Sequence, residues 1–229
     1  MKAIIIAAGN SPRLLPLVKD VPQSLLMVKN KTILEHQIDA LKAAGTNEII
    51  VVSGYKSEAL ETKCNKLKIK TVYNPFFEVS GMAATLLTAK EELKEECIVM
   101  YADIIFDSAI LKELPTCTGH ACLAVKKQEL REEAEKVIEN NGRITGISKE
   151  NSPDQSSEFI GIMKLSKSGA KNMIKQIEKA LKTNLNVTLI NIINQIILDG
   201  EEVTSFNIGD KKFIDIDFPE DLKKAEEVV

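Results

Sequence analysis

The sequence predicts a three-layer α/β/α fold on a mixed, mostly parallel central sheet. Three observations predict it. Lys2–Ala7, Glu48–Val52 and Cys97–Tyr101 are short apolar runs without polar alternation, the pattern of strands covered on both faces. Amphipathic helical patterns lie between these runs. The connections are short, and a β-α-β-α-β order with short connections implies right-handed crossovers and parallel pairing. A chain of 229 residues suits one substantial core, so a single domain spanning residues 1–229 is expected.

The elements follow in order. Lys2–Ala7 is the first strand and runs into the small-residue loop Ala8-Gly9-Asn10-Ser11-Pro12-Arg13. Thr32 and Glu35 have capping-box spacing and open a helix over Ile33–Ala44, which Gly45 stops. Glu48–Val52 is a second strand. Ser57 caps a helix through about Leu67, Lys70–Tyr73 is a third strand, and Asn74-Pro75 breaks the chain. A helix over Met82–Lys94 leads to the strand Cys97–Tyr101. The second half is less regular. Ala121–Val125 is a strand, and Lys136–Glu139 with Arg143–Ser148 forms a hairpin through Asn140-Asn141-Gly142. Glu150–Ser157 is a polar loop and Phe159–Leu165 a strand. Helices follow over Lys167–Leu181 and Thr188–Leu198, then strands over Val203–Asn207 and Phe213–Ile216, and Pro219 sits at N1 of a closing helix.

Composition narrows the function. A net charge of −3 argues against a general nucleic-acid surface. An anionic substrate therefore needs a local cationic pocket. No apolar run reaches membrane-spanning length and the first strand lacks signal-peptide flanks, so neither membrane insertion nor export is expected. Cys64, Cys97, Cys117 and Cys122 have no Cys-x-x-Cys spacing and read as thiols of a cytoplasmic protein. His36 and His120 stand apart with no ligand set, which disfavours zinc chemistry.

Candidate site residues come from strand ends, since ligands of open α/β sheets bind beyond the carboxyl ends of strands. The loop after the first strand offers backbone N–H groups from small residues, and Arg13 can fork onto phosphate. An ordinary surface turn fits the same residues. Asp103 follows the strand ending at Tyr101, where a carboxylate is costly to desolvate unless a cation meets it. Asp215 and Asp217, two apart on one strand, share a face and repel unless something positive lies between them; a solvated face is the alternative.

Ala7, Ala8, Gly9, Arg13, Leu14, Pro16, Leu17, Pro22 and Leu25 stand where the nucleoside-triphosphate sugar-phosphate nucleotidyltransferases carry their N-terminal signature, and the chain resembles that family. Two positions depart from the signature: Ser11 replaces its second Gly, and Gln23 replaces a Lys that meets phosphate in the family. Further segments resemble the branch that makes CDP-activated phosphocholine and aminophosphonates: Lys31–Glu35, Ser53–Lys56, Ser80–Leu86, Tyr101–Ile104 and Glu158–Gly161. Gly81 stands where that branch often has Asn.

The resemblance implies a Rossmann-like nucleotidyltransferase fold and a Mg²⁺-dependent enzyme joining a nucleoside triphosphate, CTP in this branch, to a small phosphorylated or phosphonate acceptor. It implies Mg²⁺ on Asp103 and Asp217 and catalytic roles for these and Arg13. Nucleotide contacts are implied at Ala7, Ala8, Gly9, Asn10, Ser11, Arg13, Ser80, Gly81, Met82 and Thr85. Gln23, Lys149, Glu158 and Asp215 are acceptor-side candidates, Lys149 for a phosphate and Glu158 or Asp215 for a cationic headgroup. The N-terminal half would then bind nucleotide and the C-terminal half acceptor. Uridylyl or thymidylyl transfer to a sugar 1-phosphate fits the same residues. A nucleotide-binding relative without turnover fits the departures at Ser11 and Gln23.

Overall fold

A computed structural model describes residues 1–152, 154–155 and 157–229. Within the expected polar loop Glu150–Ser157, Pro153 and Ser156 lie outside the described residues. The strands are β1 (Lys2–Ala7), β2 (Met27–Val28), β3 (Lys31–Thr32), β4 (Glu48–Ser53), β5 (Lys70–Tyr73), β6 (Cys97–Tyr101), β7 (Ile104–Phe106), β8 (Ala121–Lys126), β9 (Glu135–Asn140), β10 (Arg143–Ser148), β11 (Ser157–Leu165), β12 (Val203–Asn207) and β13 (Phe213–Asp215). The helices are α1 (Ile33–Ala43), α2 (Ser57–Leu67), α3 (Met82–Thr88), α4 (Ala109–Glu113), α5 (Lys167–Ala180), α6 (Leu189–Leu198) and α7 (Pro219–Ala225).

Nine strands form the main sheet in the order β5-β4-β1-β6-β11-β8-β12-β10-β9. β5, β4, β1 and β6 pair in parallel, as do β8 and β12, whereas β11 runs antiparallel to β6, β8 and β9, and β10 to β9 and β12. Only β10 and β11 therefore run against the other strands, so the sheet is mixed and mostly parallel. Consecutive residues of β1 explain its unbroken apolar run. Ile4 and Ile6 enter the core against α3, α5 and α6, while Ala3, Ile5 and Ala7 enter the core against α1, α2 and α4. A strand buried on both faces has no solvent side to mark with polar residues. The β9–β10 turn places Asn141 and Gly142 at φ 50° and 78°, the left-handed pair that an Asn-Gly hairpin requires.

Local expectations hold or fail for identifiable reasons. Thr32 and Glu35 cap α1 reciprocally, as their spacing predicts. Burial alone would raise the Glu35 carboxyl, but Lys63 and the Thr32 N–H and hydroxyl outweigh it and hold the group at about 2. A depressed carboxyl stabilises the fold above its ordinary 4.5, and that contribution is lost as pH falls toward about 2. Lys63→Met should therefore cost about 1 kcal/mol at pH 7 and little at pH 2 in urea titrations, since the pair is partly solvated. Ser57 does not cap α2; Lys56, in left-handed backbone at φ 49°, precedes it with no side-chain cap. The helix expected over Met82–Lys94 ends at Thr88 and gives way to a 3-10 turn at Lys90–Glu92. Glu92 there accepts ion pairs from Lys2 at 2.8 Å and Lys70 at 2.5 Å, so its carboxylate pins the turn beneath the sheet.

The cysteine reading needs correction. Cys117 and Cys122 are joined by a disulfide, and only Cys64 and Cys97 are buried thiols. The turn between α4 and β8 brings the two Cα atoms to 6.2 Å at a separation of five residues, which lies outside the Cys-x-x-Cys pattern. Half of the cysteine support for a reducing compartment is thereby removed. Among the described residues no helix is long and apolar enough to cross a membrane.

α5 sits so close to the main chain before β8 that a Cβ on Gly169 would lie 1.7 Å from the His120 carbonyl oxygen. The obstacle is backbone and cannot rotate away. Gly169→Ala should cost on the order of 3 kcal/mol, read as a lowered unfolding midpoint in urea.

Candidate active site

Two cavities adjoin at the carboxyl ends of β1 and β6. Ala7, Ala8, Gly9, Ser11, Gln23, Ser80, Gly81, Met82 and Thr85 line the first, with Tyr101 and Asp103 at its inner end. Arg13, Met82, Tyr101, Asp103, Lys149, Glu158, Asp215 and Asp217 line the second, together with Glu133 and Glu135. Met82, Tyr101 and Asp103 belong to both. The candidates from the N-terminal half thus gather around one cavity and those from the C-terminal half around the other. Asn10 is exposed and lines neither, and Arg13 lies on the second cavity rather than the first.

The first cavity owes its shape to small residues. Ser11 adopts left-handed backbone at φ 43°, which turns the loop after β1. The segment before α6 packs across the N-terminus of α3, where Gly81 N–H donates to Leu185 O at 2.9 Å and Ala83 N–H to Val187 O at 3.1 Å. A Cβ on Gly81 would lie 2.4 Å from Val187 O, so this chain has no room for a side chain there. Buried Asn74, read from sequence only as part of a chain break, donates to Thr85 Oγ1 at 3.0 Å and Ser80 Oγ at 3.2 Å. It fixes two of the lining hydroxyls, and Phe77 closes the wall beside them.

Gln23 lines the first cavity with its amide engaged by neighbouring groups of the protein. It is buried, Ser11 Oγ donates to its Oε1, and its Nε2 donates to the carbonyl of Ile216. Gln23, an acceptor-side candidate, thus lines the first cavity and not the acidic second one, and each end of its amide makes one hydrogen bond within the protein.

The second cavity is acidic. Six carboxylates line it, Asp103, Glu133, Glu135, Glu158, Asp215 and Asp217, against the cations Arg13 and Lys149. Asp103 is held by two elements. It follows β6, and its carbonyl accepts from Ile216 N–H at 2.9 Å as β7 and β13 pair. Its Oδ1 is buried without a partner. Burial first, then the Asp217 charge, push the Asp103 carboxyl up to about 6, opposed by its own backbone N–H, Lys149 and Arg13. Asp215 also has a buried, unpartnered Oδ1, and burial with the Asp103 and Asp217 charges drives it well above the usual carboxylate range. Burial raises Glu135 to about 7 even though Tyr101 Oη donates to it at 3.0 Å.

Asp217 is paired with Arg13, which also meets Glu133 at 3.1 Å and lies 5.2 Å from the centre of the Phe218 ring. Glu158 is fully buried and engaged by Arg131 and by Gln128 Nε2 at 2.8 Å, and Arg131 lies 3.8 Å from Asp215. Both oxygens of Glu158 are thus engaged within the protein, whereas Asp215 keeps a buried Oδ1 without a partner. Sequence reasoning missed Glu133, Glu135 and Arg131, acids and a base in an irregular segment where surface positions are the default.

Among the described residues no group of three or more His, Cys, Asp or Glu side chains is arranged to hold a metal ion. Mg²⁺ does not need one, because it keeps several waters and takes one or two carboxylates plus substrate phosphates. The unpartnered Asp103 Oδ1, with Asp217 on the same cavity wall, fits that donor set.

A family model described as "MobA-like NTP transferase domain" matches residues 3–150. The chain is 34% identical over 185 residues to the CTP:phosphoglutamine cytidylyltransferase of Campylobacter jejuni, covering 72% of this chain and 73% of that protein. It is 32% identical over 118 residues to the choline-phosphate cytidylyltransferase of Streptococcus pneumoniae, about half of each protein at 52% and 52%. Among solved structures, the CTP:phosphocholine cytidylyltransferase from Streptococcus pneumoniae superposes with a TM-score of 0.85 at 24% identity, covering 99% of this chain and 98% of that one. The inositol-1-phosphate CTP transferase from T. maritima superposes at 0.86 and 24%, covering 99% and 94%. At that identity the superpositions establish the shared fold.

Proposed function

The chain belongs to the MobA-like NTP transferase family and is a nucleotidyltransferase; on that premise we propose that it transfers the cytidylyl group of CTP to a small phosphorylated or phosphonate acceptor bearing a cationic headgroup, with release of pyrophosphate. The observation that carries the reading is the pair of adjoining cavities meeting at Asp103, one small-walled and one acidic. The likeness to two cytidylyltransferases supports the choice of base. Six carboxylates on the second wall outnumber Arg13, Lys149 and the adjacent Arg131, and this acidic balance favours a positively charged acceptor group.

An acceptor phosphate oxygen attacks the α-phosphorus, a new P–O bond forms, the bond to the β-phosphate oxygen breaks, and pyrophosphate leaves. Both reactants are anions, so the barrier lies in repulsion and alignment. Backbone N–H groups of the Ala8–Ser11 loop hold phosphate oxygens, and Ser80 to Met82 face the base. Arg13, between Asp217 and Glu133, is placed to exchange those carboxylates for the outer phosphates. Lys149 orients the acceptor phosphate beside Asp103. Asp103 and Asp217 would hold Mg²⁺, which when bound neutralises charge on the α-phosphate and the attacking oxygen.

Uridylyl transfer to a sugar 1-phosphate is the second reading, favoured by 34% identity over 110 residues to the UTP--glucose-1-phosphate uridylyltransferase AglF of Haloferax volcanii, which covers 47% of this chain and 45% of that protein. Pyrophosphate release measured with CTP, UTP, dTTP and GTP against phosphocholine, phosphoethanolamine, 2-aminoethylphosphonate and glucose 1-phosphate separates the two. Release with CTP and an amino-alcohol acceptor is expected. Release only with UTP or dTTP and the sugar phosphate would replace the first reading by the second, and none with any pair would leave a binding protein without turnover.

A further inference from the structure

The two departures from the N-terminal signature, Ser11 and Gln23, are bonded to each other. Ser11 Oγ donates to Gln23 Oε1, and the other end of the same amide donates to the carbonyl of Ile216. Ile216 is fully buried, its own N–H donates to the Asp103 carbonyl at 2.9 Å, and the next residue is Asp217. One side chain therefore connects the loop after β1 to the peptide that joins Asp103 to Asp217. A buried primary amide bridging a donor and an acceptor is hard to replace, because truncation leaves both partners unsatisfied.

We propose that Gln23 is a positioning residue, a strut that sets the Asp103 and Asp217 carboxylates against the triphosphate loop. The inference rests on the proposed CTP reading with Mg²⁺ on those two carboxylates, and goes beyond it in giving Gln23 no contact with substrate. The family's Lys at this place could not accept the Ser11 hydrogen bond, since an ammonium only donates. The strut thus accounts for both departures together: the hydroxyl at position 11 and the amide at position 23 form one unit. A polar group that merely satisfies the core would affect stability. A strut affects how far the metal improves nucleotide binding.

The test is calorimetric titration with CTP, with and without Mg²⁺, of wild type, Gln23→Met, Ser11→Gly and the double variant, each with its melting temperature. Without Mg²⁺, wild type and Gln23→Met should bind CTP within about twofold of each other. The gain in affinity on adding Mg²⁺ should fall about tenfold in Gln23→Met and about threefold in Ser11→Gly, and the double variant should be no worse than Gln23→Met, because residues acting as one unit are not additive. An unchanged Mg²⁺ gain in folded Gln23→Met, or losses that multiply in the double variant, would overturn the proposal. If Gln23→Met does not fold, Ser11→Gly at its half-buried loop position decides alone: an unchanged Mg²⁺ gain there overturns the strut, and a loss at unaltered melting temperature supports it. Wild type that binds UTP in place of CTP contradicts the choice of base, and the same series read with UTP then decides the strut separately.

Discussion

Asp103→Asn should abolish turnover, by on the order of 10³-fold or more, while leaving the fold intact. The size follows from what the carboxylate would do, since an anionic ligand for a cation at the reacting phosphate has no substitute in a neutral amide. The intact fold follows from geometry. The hydrogen bond from Ile216 N–H is made to the Asp103 backbone carbonyl, which the substitution leaves alone. The side-chain oxygen that changes character is buried without a partner, and replacing an unpartnered buried carboxylate by an amide removes a desolvation cost. The melting temperature of the metal-free protein should therefore stay level or rise as activity disappears. A variant that keeps a tenth of wild-type turnover, or one that loses activity by unfolding, would remove Asp103 from the centre of the site.

Arg13→Ala has the second-largest expected effect. Arg13 is one of two cations on a wall with six carboxylates, and it is bonded to Asp217 and Glu133. Its loss leaves Asp217 without its counter-charge and the outer phosphates without their guanidinium fork. Turnover should drop about 10²- to 10³-fold, in the range of a lost charge-stabilising donor. Affinity for CTP should fall at least about tenfold and affinity for CMP less than about threefold, because only the triphosphate carries the oxygens a guanidinium would clamp. Equal losses for the two nucleotides in calorimetry would move Arg13 away from the triphosphate and leave it as a partner of Asp217 only.

How legible the molecule was in its sequence depended on how local each determinant is. β1, β4 and β6 were readable because burial on both faces strips a strand of polar residues. The β9–β10 hairpin was readable because two adjacent left-handed residues need Asn-Gly chemistry. β7 was not, since three apolar residues form a strand only when β13, more than a hundred positions later, pairs with them. That small sheet brings Asp103 to the cavity of Asp215 and Asp217, so the meeting of the acids is a tertiary event. Resemblance rather than periodicity pointed to it. The early end of α3 and the Cys117–Cys122 bond likewise depend on neighbours distant in sequence or on a turn without a composition signature. Glu158 was found by motif, but its partner Arg131 was not, because Arg131 lies in a stretch with no pattern to place it.

The most direct measurement is ³¹P NMR of the reaction products after incubation of the protein with CTP, Mg²⁺ and phosphocholine or 2-aminoethylphosphonate. The expected result is pyrophosphate together with a new pair of mutually coupled resonances, in which the α-phosphorus of CTP is bridged through oxygen to the acceptor's phosphorus. CMP with pyrophosphate, CDP with orthophosphate, or an unchanged spectrum with every acceptor would contradict nucleotidyl transfer to a phosphorylated amino-alcohol.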